Sequence, residues 1–464
     1  MLKNIMNTIE LIKQIAKEKN CFIDFLIVDK NIIDTIFNGK KPEKIEISQS
    51  LNVGIKVVKD NKSFIINSLD LSELEIRKKI DEALIAIDSL IKNDVKHFDV
   101  NLGGYNQSQE IILKNENNLD ENNLDENNLD ENHKLNEIKN KINEFDENIQ
   151  KNKNIVTCEN GFNREHVYYY FGNSLGFKYF YEVFYDYLFS KVVAKDLDNE
   201  TMEIGYEFDS KNNMSDLLSI NEITKKANEK AIKSLNPKKG LSGNFDVVIN
   251  KNILKELIGY FLELVNGENV RQKNSFLKDS LGLKIFQDGV NIVDLPNYKN
   301  GYYNLEYDMQ GGKCEDLFLV ENGFLKNFTL DVENSLKLNM VNNCRGFRTI
   351  SSDYKPCNTN IIVENTLKKQ NHELDEVLLN IKKGYYINKT MGMGVNLVNG
   401  DYSKGACGFY VENGKIIYPV NNITIAGNLK QIFAELEIFD DIIDKKMNIF
   451  CGYAIMKNIV IASN

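Results

Sequence analysis

Hydrophobic residues recur at helical spacing near the start of the chain. Ile5, Ile9, Ile12 and Ile15, with Leu11 alongside, predict a helix over 5–18. The pattern then changes: Cys21–Val28 is apolar and β-rich and predicts a buried strand. Gly39-Lys40 fits a turn, Lys44–Ser48 and Val53–Val58 alternate as strands, and Asp60-Asn61 marks a hairpin into Ser63–Ile66. Helical spacing returns over 73–93 through Leu74, Ile76, Ile80, Ala83, Leu84, Ile87 and Ile91, with Asp70 and Ser72 just before it. Residues 1–100 therefore read as an open sheet with helices packed on it.

Residues 114–155 differ in kind. E-N-N-L-D occurs three times in register, as Glu116–Asp120, Glu121–Asp125 and Glu126–Asp130. A five-residue period matches neither a helix nor a strand, so no continuous apolar face forms. The segment holds 11 acidic and 6 basic residues, which is −5 of the chain's −10. So little apolar surface cannot offset chain entropy, and a solvated, disordered insert is expected over 108–155. An acidic docking segment is the alternative.

Beyond the insert, His166–Phe171, Phe177–Tyr187 and Lys191–Ala194 suggest strands. Phe177–Tyr187 holds seven aromatic residues but a single basic one, Lys178, which points to sheet packing rather than stacking on bases. Ile220–Leu235 reads as a helix, and Asn236-Pro237 with Gly240–Gly243 as a linker. A strand at Phe245–Asn250 and an apolar helix at Ile253–Val265 follow, with further helices near 333–340 and 374–382. Elsewhere from about 285 onward the chain is short β-like runs broken by turns such as Asn322-Gly323, Asn399-Gly400 and Asn413-Gly414. The fold class is α+β. The expected domains are an N-terminal α/β domain (1–107), the insert (108–155), a central domain (156–236) and a β-rich C-terminal domain (237–464).

Composition narrows the function. Hydrophobic residues make up 42% of the 464 and charged residues 27%, as in ordinary soluble domains. A net charge of −10 repels phosphate backbones, so direct nucleic-acid binding is not expected. There is no apolar run of the roughly 18 residues that a membrane span needs. The first twenty residues have no apolar core of the signal-peptide kind. Seven scattered cysteines without a C-x-x-C pair suggest reduced thiols and a cytoplasmic location. Four histidines form no close cluster, which argues against a His-rich zinc site.

Neither a phosphate-binding G-x-x-x-x-G-K-[ST] loop nor a G-x-S-x-G elbow occurs. Gly392 and Gly394 resemble half of a dinucleotide fingerprint, but they do not open a helix after a strand. Glycines there suit tight turns and close backbone approach, which is also how a strand edge receives an extended peptide. Ser403 and Cys407 flank Lys404, with Asp401 nearby, but no histidine is close in sequence to activate a nucleophile. Cys407 lies among small residues and reads as an inert thiol. Glu256 and Glu263 share a face of the 253–265 helix; acid/base work is one reading, and a polar stripe on an apolar helix is the reading favoured by spacing.

The stretch 384–439 adds a resemblance. Met393–Leu397 (MGVNL), Gly400–Gly405 (GDYSKG), Val411–Gly414 (VENG), Tyr418-Pro419-Val420 and Ile423–Leu429 (ITIAGNL) resemble, in order and spacing, the C-terminal signature of the TldD/PmbA family. That family was named for modulation of DNA gyrase and comprises cytoplasmic metallopeptidase subunits. Asn274–Leu283, Val290–Pro296 and Glu321–Leu325 agree with it, and the similarity is greatest to the family's PmbA-like (TldE-like) branch. The resemblance covers nearly the whole chain outside the insert.

The resemblance implies two kinds of subunit. Zinc-bearing TldD-like chains carry H-E-x-x-x-H on a helix and a cysteine ligand near the C-terminus. Here the matching helix reads Lys255, Glu256 and, at the second histidine position, Tyr260; Cys451 is followed by Gly452-Tyr453 rather than Gly-Lys. The implied reading is a chain with no catalytic residue and no zinc of its own, paired with a TldD-like zinc subunit or with a second copy. Extended peptides would be the substrate of the complex. Gly392, Gly394, Asn396, Gly400, Asp401, Ser403 and Gly405 are the candidates for peptide-facing or interface positions. An independently active hydrolase using Cys407 or Glu256 with Glu263, and a non-enzymatic homodimeric adaptor, remain as alternatives.

Overall fold

The computed structural model describes residues 2–90, 131–299, 301–368, 373–439 and 447–463. Its chain is α+β, as the sequence pattern predicts. Helix α1 (Leu2–Lys19) buries Ile5, Ile9, Ile12 and Ile15, the four residues whose spacing predicts it. Strands β1 (Phe22–Asn38), β2 (Lys41–Lys59) and β3 (Lys62–Ser68) follow as antiparallel neighbours. Helix α2 (Glu73–Ser89) is capped by Ser72, whose side chain accepts from the Glu75 amide, and buries Ile76, Ile80, Ala83 and Ile87 against α1 and the sheet.

Two sequence expectations change here. Lys44–Ser48 and Val53–Val58 are one strand rather than two, because β1 is long enough to pair along the whole of β2. The insert is not solvated throughout: Glu131–Asn143 forms helix α3, and Ile138, Ile142 and Phe145 are buried with Phe162, Leu188 and Ile223. The few apolar residues of this part fall on one face, which the acidic repeat before it had masked. The repeat itself, 116–130, lies outside the described residues.

Strands β4 (Ile155–Asn173), β5 (Lys178–Lys195) and β6 (Met202–Lys211) continue the first sheet, in the order β3-β2-β1-β4-β5-β6. Residues before and after the insert thus share one sheet. Helix α4 (Ile220–Lys233) starts in a capping box made by Ser219 and Glu222 and packs on β5 and β6. The aromatic run of β5 packs within the sheet, with Tyr169 stacked on Tyr181 and Tyr170 against Phe180.

The C-terminal half begins with β7 (Gly243–Ile249) and helix α5 (Lys251–Leu264). Strands β8 (Val290–Asp294), β9 (Leu317–Glu321), β10 (Phe324–Leu325), β13 (Ile361–Asn365) and β18 (Ile449–Phe450) make a second sheet, and β11 (Gly346–Phe347) pairs with β12 (Lys355–Pro356). The third sheet holds β14 (Lys383–Met391), β15 (Asp401–Glu412), β16 (Lys415–Asn428), β17 (Glu437–Phe439) and β19 (Tyr453–Ser463), in the order β16-β15-β14-β7-β19-β17. A further β16–β19 pairing closes five of these strands into a barrel. Helix α5 packs on β14 and β19, and its buried face joins the inward residues of the barrel strands in one core cluster.

Candidate functional site

The site is built where α5 meets the barrel. Asn250 caps the helix by accepting from the Ile253 amide (2.9 Å), and its side-chain amide donates to the Asn388 carbonyl (2.9 Å). This ties the first turn of α5 to β14. Ile253, Leu254, Leu257, Ile258 and Phe261 are buried in the core, and Glu256 and Tyr260, one turn apart, lie together at its margin.

β15 supplies the other half. Alternation along the strand turns Tyr402, Lys404 and Ala406 inward and leaves Asp401 and Ser403 exposed. A lysine on an apolar strand face needs an anion, and Glu256 provides it. Lys404 Nζ donates to Glu256 Oε1 and to the Tyr260 hydroxyl (3.1 Å). The Tyr260 hydroxyl itself donates to Glu256 Oε1 (2.7 Å), and Thr390 of β14 donates to Oε2 (2.7 Å). The Lys404 side chain is 5% exposed and that of Glu256 31%.

Electrostatics lock this cluster in one state. Burial alone would raise the Glu256 pKa, but the bonds from Lys404, Tyr260 and Thr390 hold it below the ordinary carboxylate range. Burial would lower that of Lys404, and its bonds to Glu256 and Tyr260 hold it above the ordinary amine range. Tyr260 is pushed up, first by burial and then by its bond to Glu256. A carboxylate stabilised in this way is a poor proton acceptor, and an ammonium held this firmly is a poor nucleophile. The Tyr402 hydroxyl, buried beside them, has no hydrogen-bond partner.

The remaining sequence candidates lie around this cluster. Lys255 is buried, next to Glu256 on α5. Cys451 is buried at the start of α5, its thiol 3.7 Å from the Lys251 carbonyl. Glu263 does not join Glu256: it is exposed, and its carboxylate accepts from Asn269 (3.0 Å). Cys407 is half-buried on β15, opposite Lys389.

The glycine-rich stretch folds back on itself. The Ser403 amide donates to the Gly394 carbonyl (2.6 Å), that of Asn396 to the Asp401 carbonyl (2.9 Å), and that of Gly400 to the Asn396 carbonyl (2.8 Å). A Cβ on Gly394 would come within 1.8 Å of the Ser403 carbonyl oxygen, so this glycine is required by close backbone approach. Gly392 and Gly400 have positive φ (85° and 88°), whereas a Cβ on Gly405 meets only ordinary contacts. Met393, between the two glycines, is 98% exposed. Thr390 lies outside every motif read from the sequence, and Lys404 and Tyr402 fall within the Gly400–Gly405 motif without a role of their own there. The period of two through Tyr402, Lys404 and Ala406 is the signal that marks Lys404.

Known proteins match this chain along most of its length. A family model described as the PmbA/TldA metallopeptidase central domain matches residues 123–235, and one described as the C-terminal domain matches 242–463. The chain is 30% identical over 332 residues to the metalloprotease PmbA homolog of Buchnera aphidicola from Acyrthosiphon pisum, covering 71% of each chain. It is similar in structure to a Bacteroides thetaiotaomicron protein named for modulation of DNA gyrase, at a TM-score of 0.82 and 20% identity over 98% of each chain. It is also similar to TldE from Thermococcus kodakarensis, at a TM-score of 0.79 and 16% identity over 98% of this chain and 100% of that one. The chain belongs to the PmbA/TldD metallopeptidase family.

Proposed function

We propose that this chain is the PmbA/TldE-like subunit of a cytoplasmic TldD/TldE-type metallopeptidase complex that degrades or processes unfolded peptides, and that it carries no catalytic zinc itself. The observation that carries the proposal is the ammonium of Lys404 on the Glu256 carboxylate. By the family resemblance, Glu256 aligns with the glutamate that acts as base in zinc-bearing subunits, and Lys255 and Tyr260 align with their two histidines.

These residues fit a divalent metal poorly. A protonated amine repels Zn²⁺, a neutral phenol is a weak ligand, and the carboxylate already accepts three hydrogen bonds. Family membership supports the peptidase setting, and the cluster supports a structural rather than catalytic role for this chain within it. The partner is a TldD-like zinc subunit; a second copy of this chain is the alternative. No helix among the described residues is long and apolar enough to cross a membrane.

The test is affinity purification of the tagged chain co-expressed with a TldD-like chain from the same genome. A one-to-one complex is expected. Recovery of the tagged chain as a homodimer without that partner would favour the adaptor reading, and peptide cleavage by the chain alone would favour the independent hydrolase.

A further inference from the structure

The first sheet buries α1 and α2 on one face; its other face meets the C-terminal half. On that face the strand registers set Val28, Tyr169 and Tyr181 side by side in one row across β1, β4 and β5. The rings of Tyr169 and Tyr181 stack with centroids 4.7 Å apart and 10° between planes. Opposite this row runs the segment from Phe347 to Ser351. Between them lies a cavity of about 460 Å³, walled also by Tyr303 and Met309.

The roof is fixed. Arg348 donates to Asp24 Oδ1 (2.7 Å) and to the Gly54 carbonyl (3.0 Å), and Lys56 pairs with Asp353 (2.5 Å). The Tyr354 hydroxyl bonds to the other Asp24 oxygen. Because β11, β12 and the loop between them are held to β1 and β2 in this way, the cavity is preformed.

Its chemistry is selective. Arg348 is the one charged residue among the described residues of the wall, and Asp24 matches that charge. An ionic ligand therefore meets no free counter-charge, and burying it would be costly. The stacked tyrosines, Phe347 and the polarisable sulfur of Met309 favour a flat, neutral ring. The volume lies within the range of ligand pockets, and Thr349 and Ser351 at the rim are exposed.

We infer that this cavity receives the neutral aromatic side chain of an extended peptide. The choice of a peptide over a free aromatic compound rests on the function proposed above; the preference for a neutral ring rests on the cavity alone.

The chain contains no tryptophan, so a blocked five-residue peptide with one central tryptophan can be excited selectively in its presence. Titration of the isolated chain is expected to give a saturable blue shift of the peptide's emission. Ring contacts of this kind should make a phenylalanine peptide compete about fivefold to tenfold better than its leucine counterpart. Val28→Phe, which narrows the cavity beside the tyrosine row, should weaken binding at least about tenfold. Ser351→Tyr, at the exposed rim, obstructs the mouth with little risk to folding and should do the same. No shift, or a shift untouched by Ser351→Tyr, would overturn the site. Equal competition by free N-acetyltryptophanamide would overturn the peptide as the source of the ring. The readout needs no zinc, partner or cleavage, so its failure is distinct from failure of the subunit proposal.

Discussion

Lys404 and Glu256 stand 148 residues apart in the chain, one on a barrel strand and the other on the helix beside it, and form a largely buried ion pair. Neither has another strong counter-charge in the cluster. Truncation of one partner should therefore cost more than removal of both.

Lys404→Met is expected to lower unfolding stability by about 3 kcal/mol, at the low end for a buried pair because Glu256 is nearly a third exposed. The double variant Lys404→Met with Glu256→Leu should recover to within about 1 kcal/mol of the parent. Urea midpoints at constant slope measure both. A double variant no better than the single one would contradict the pairing.

The same pair fixes a pH window. Glu256 is held low in the folded state, so its contribution is present above the unfolded carboxylate value of about 4.3 and is lost as pH falls through the folded value. Lys404 is held high, so its contribution is present below the unfolded value of about 10.4 and is lost as pH rises through the folded one. The stability gap between the parent and Glu256→Gln should be flat from about pH 5 to 9 and shrink below about pH 4. Denaturant melts across that range measure it, and a gap that widens on acidification would contradict the assignment.

Gly394 and Gly405 belong to one glycine-rich stretch but should respond differently. Gly394→Ala forces a Cβ into the Ser403 carbonyl and should cost about 1–3 kcal/mol. Gly405→Ala meets open packing and should stay within about 0.5 kcal/mol. Thermal melts of the two variants decide between a backbone requirement and mere small-residue preference.

Asp24 and Arg348 join the two halves of the molecule with almost no exposure of either side chain, at 3% and 1%. Asp24→Ala leaves a buried guanidinium unpaired and should destabilise by about 3–5 kcal/mol. A melting temperature close to the parent's would show that the contact carries little of the inter-half packing.

Much of the fold was legible in the pattern of apolar positions. The isoleucines of α1, the apolar run that opens β1 and the Asn-Gly turns are local signals, and each lies where the structure uses it. The length of β2 was not legible, because Gln49, Ser50 and Asn52 are polar and only pairing with β1 extends the strand through them. The order of α3 was hidden for a similar reason: Ile138, Ile142 and Phe145 are few, and their burial depends on Phe162 and Leu188 from distant strands. Of the site, Glu256 and Tyr260 were visible through helix spacing and family resemblance. Lys404 was visible as part of the Gly400–Gly405 motif, but its partner Glu256 lies on another element.

If this chain is a metal-free subunit whose Glu256 is neutralised by Lys404, it should hold no zinc when isolated. The most direct measurement is zinc content and cleavage of an unfolded peptide, for the chain alone and for the complex co-expressed with a TldD-like chain. Neither zinc nor cleavage is expected for the chain alone, and both are expected for the complex. Stoichiometric zinc or cleavage with the isolated chain would contradict the metal-free role.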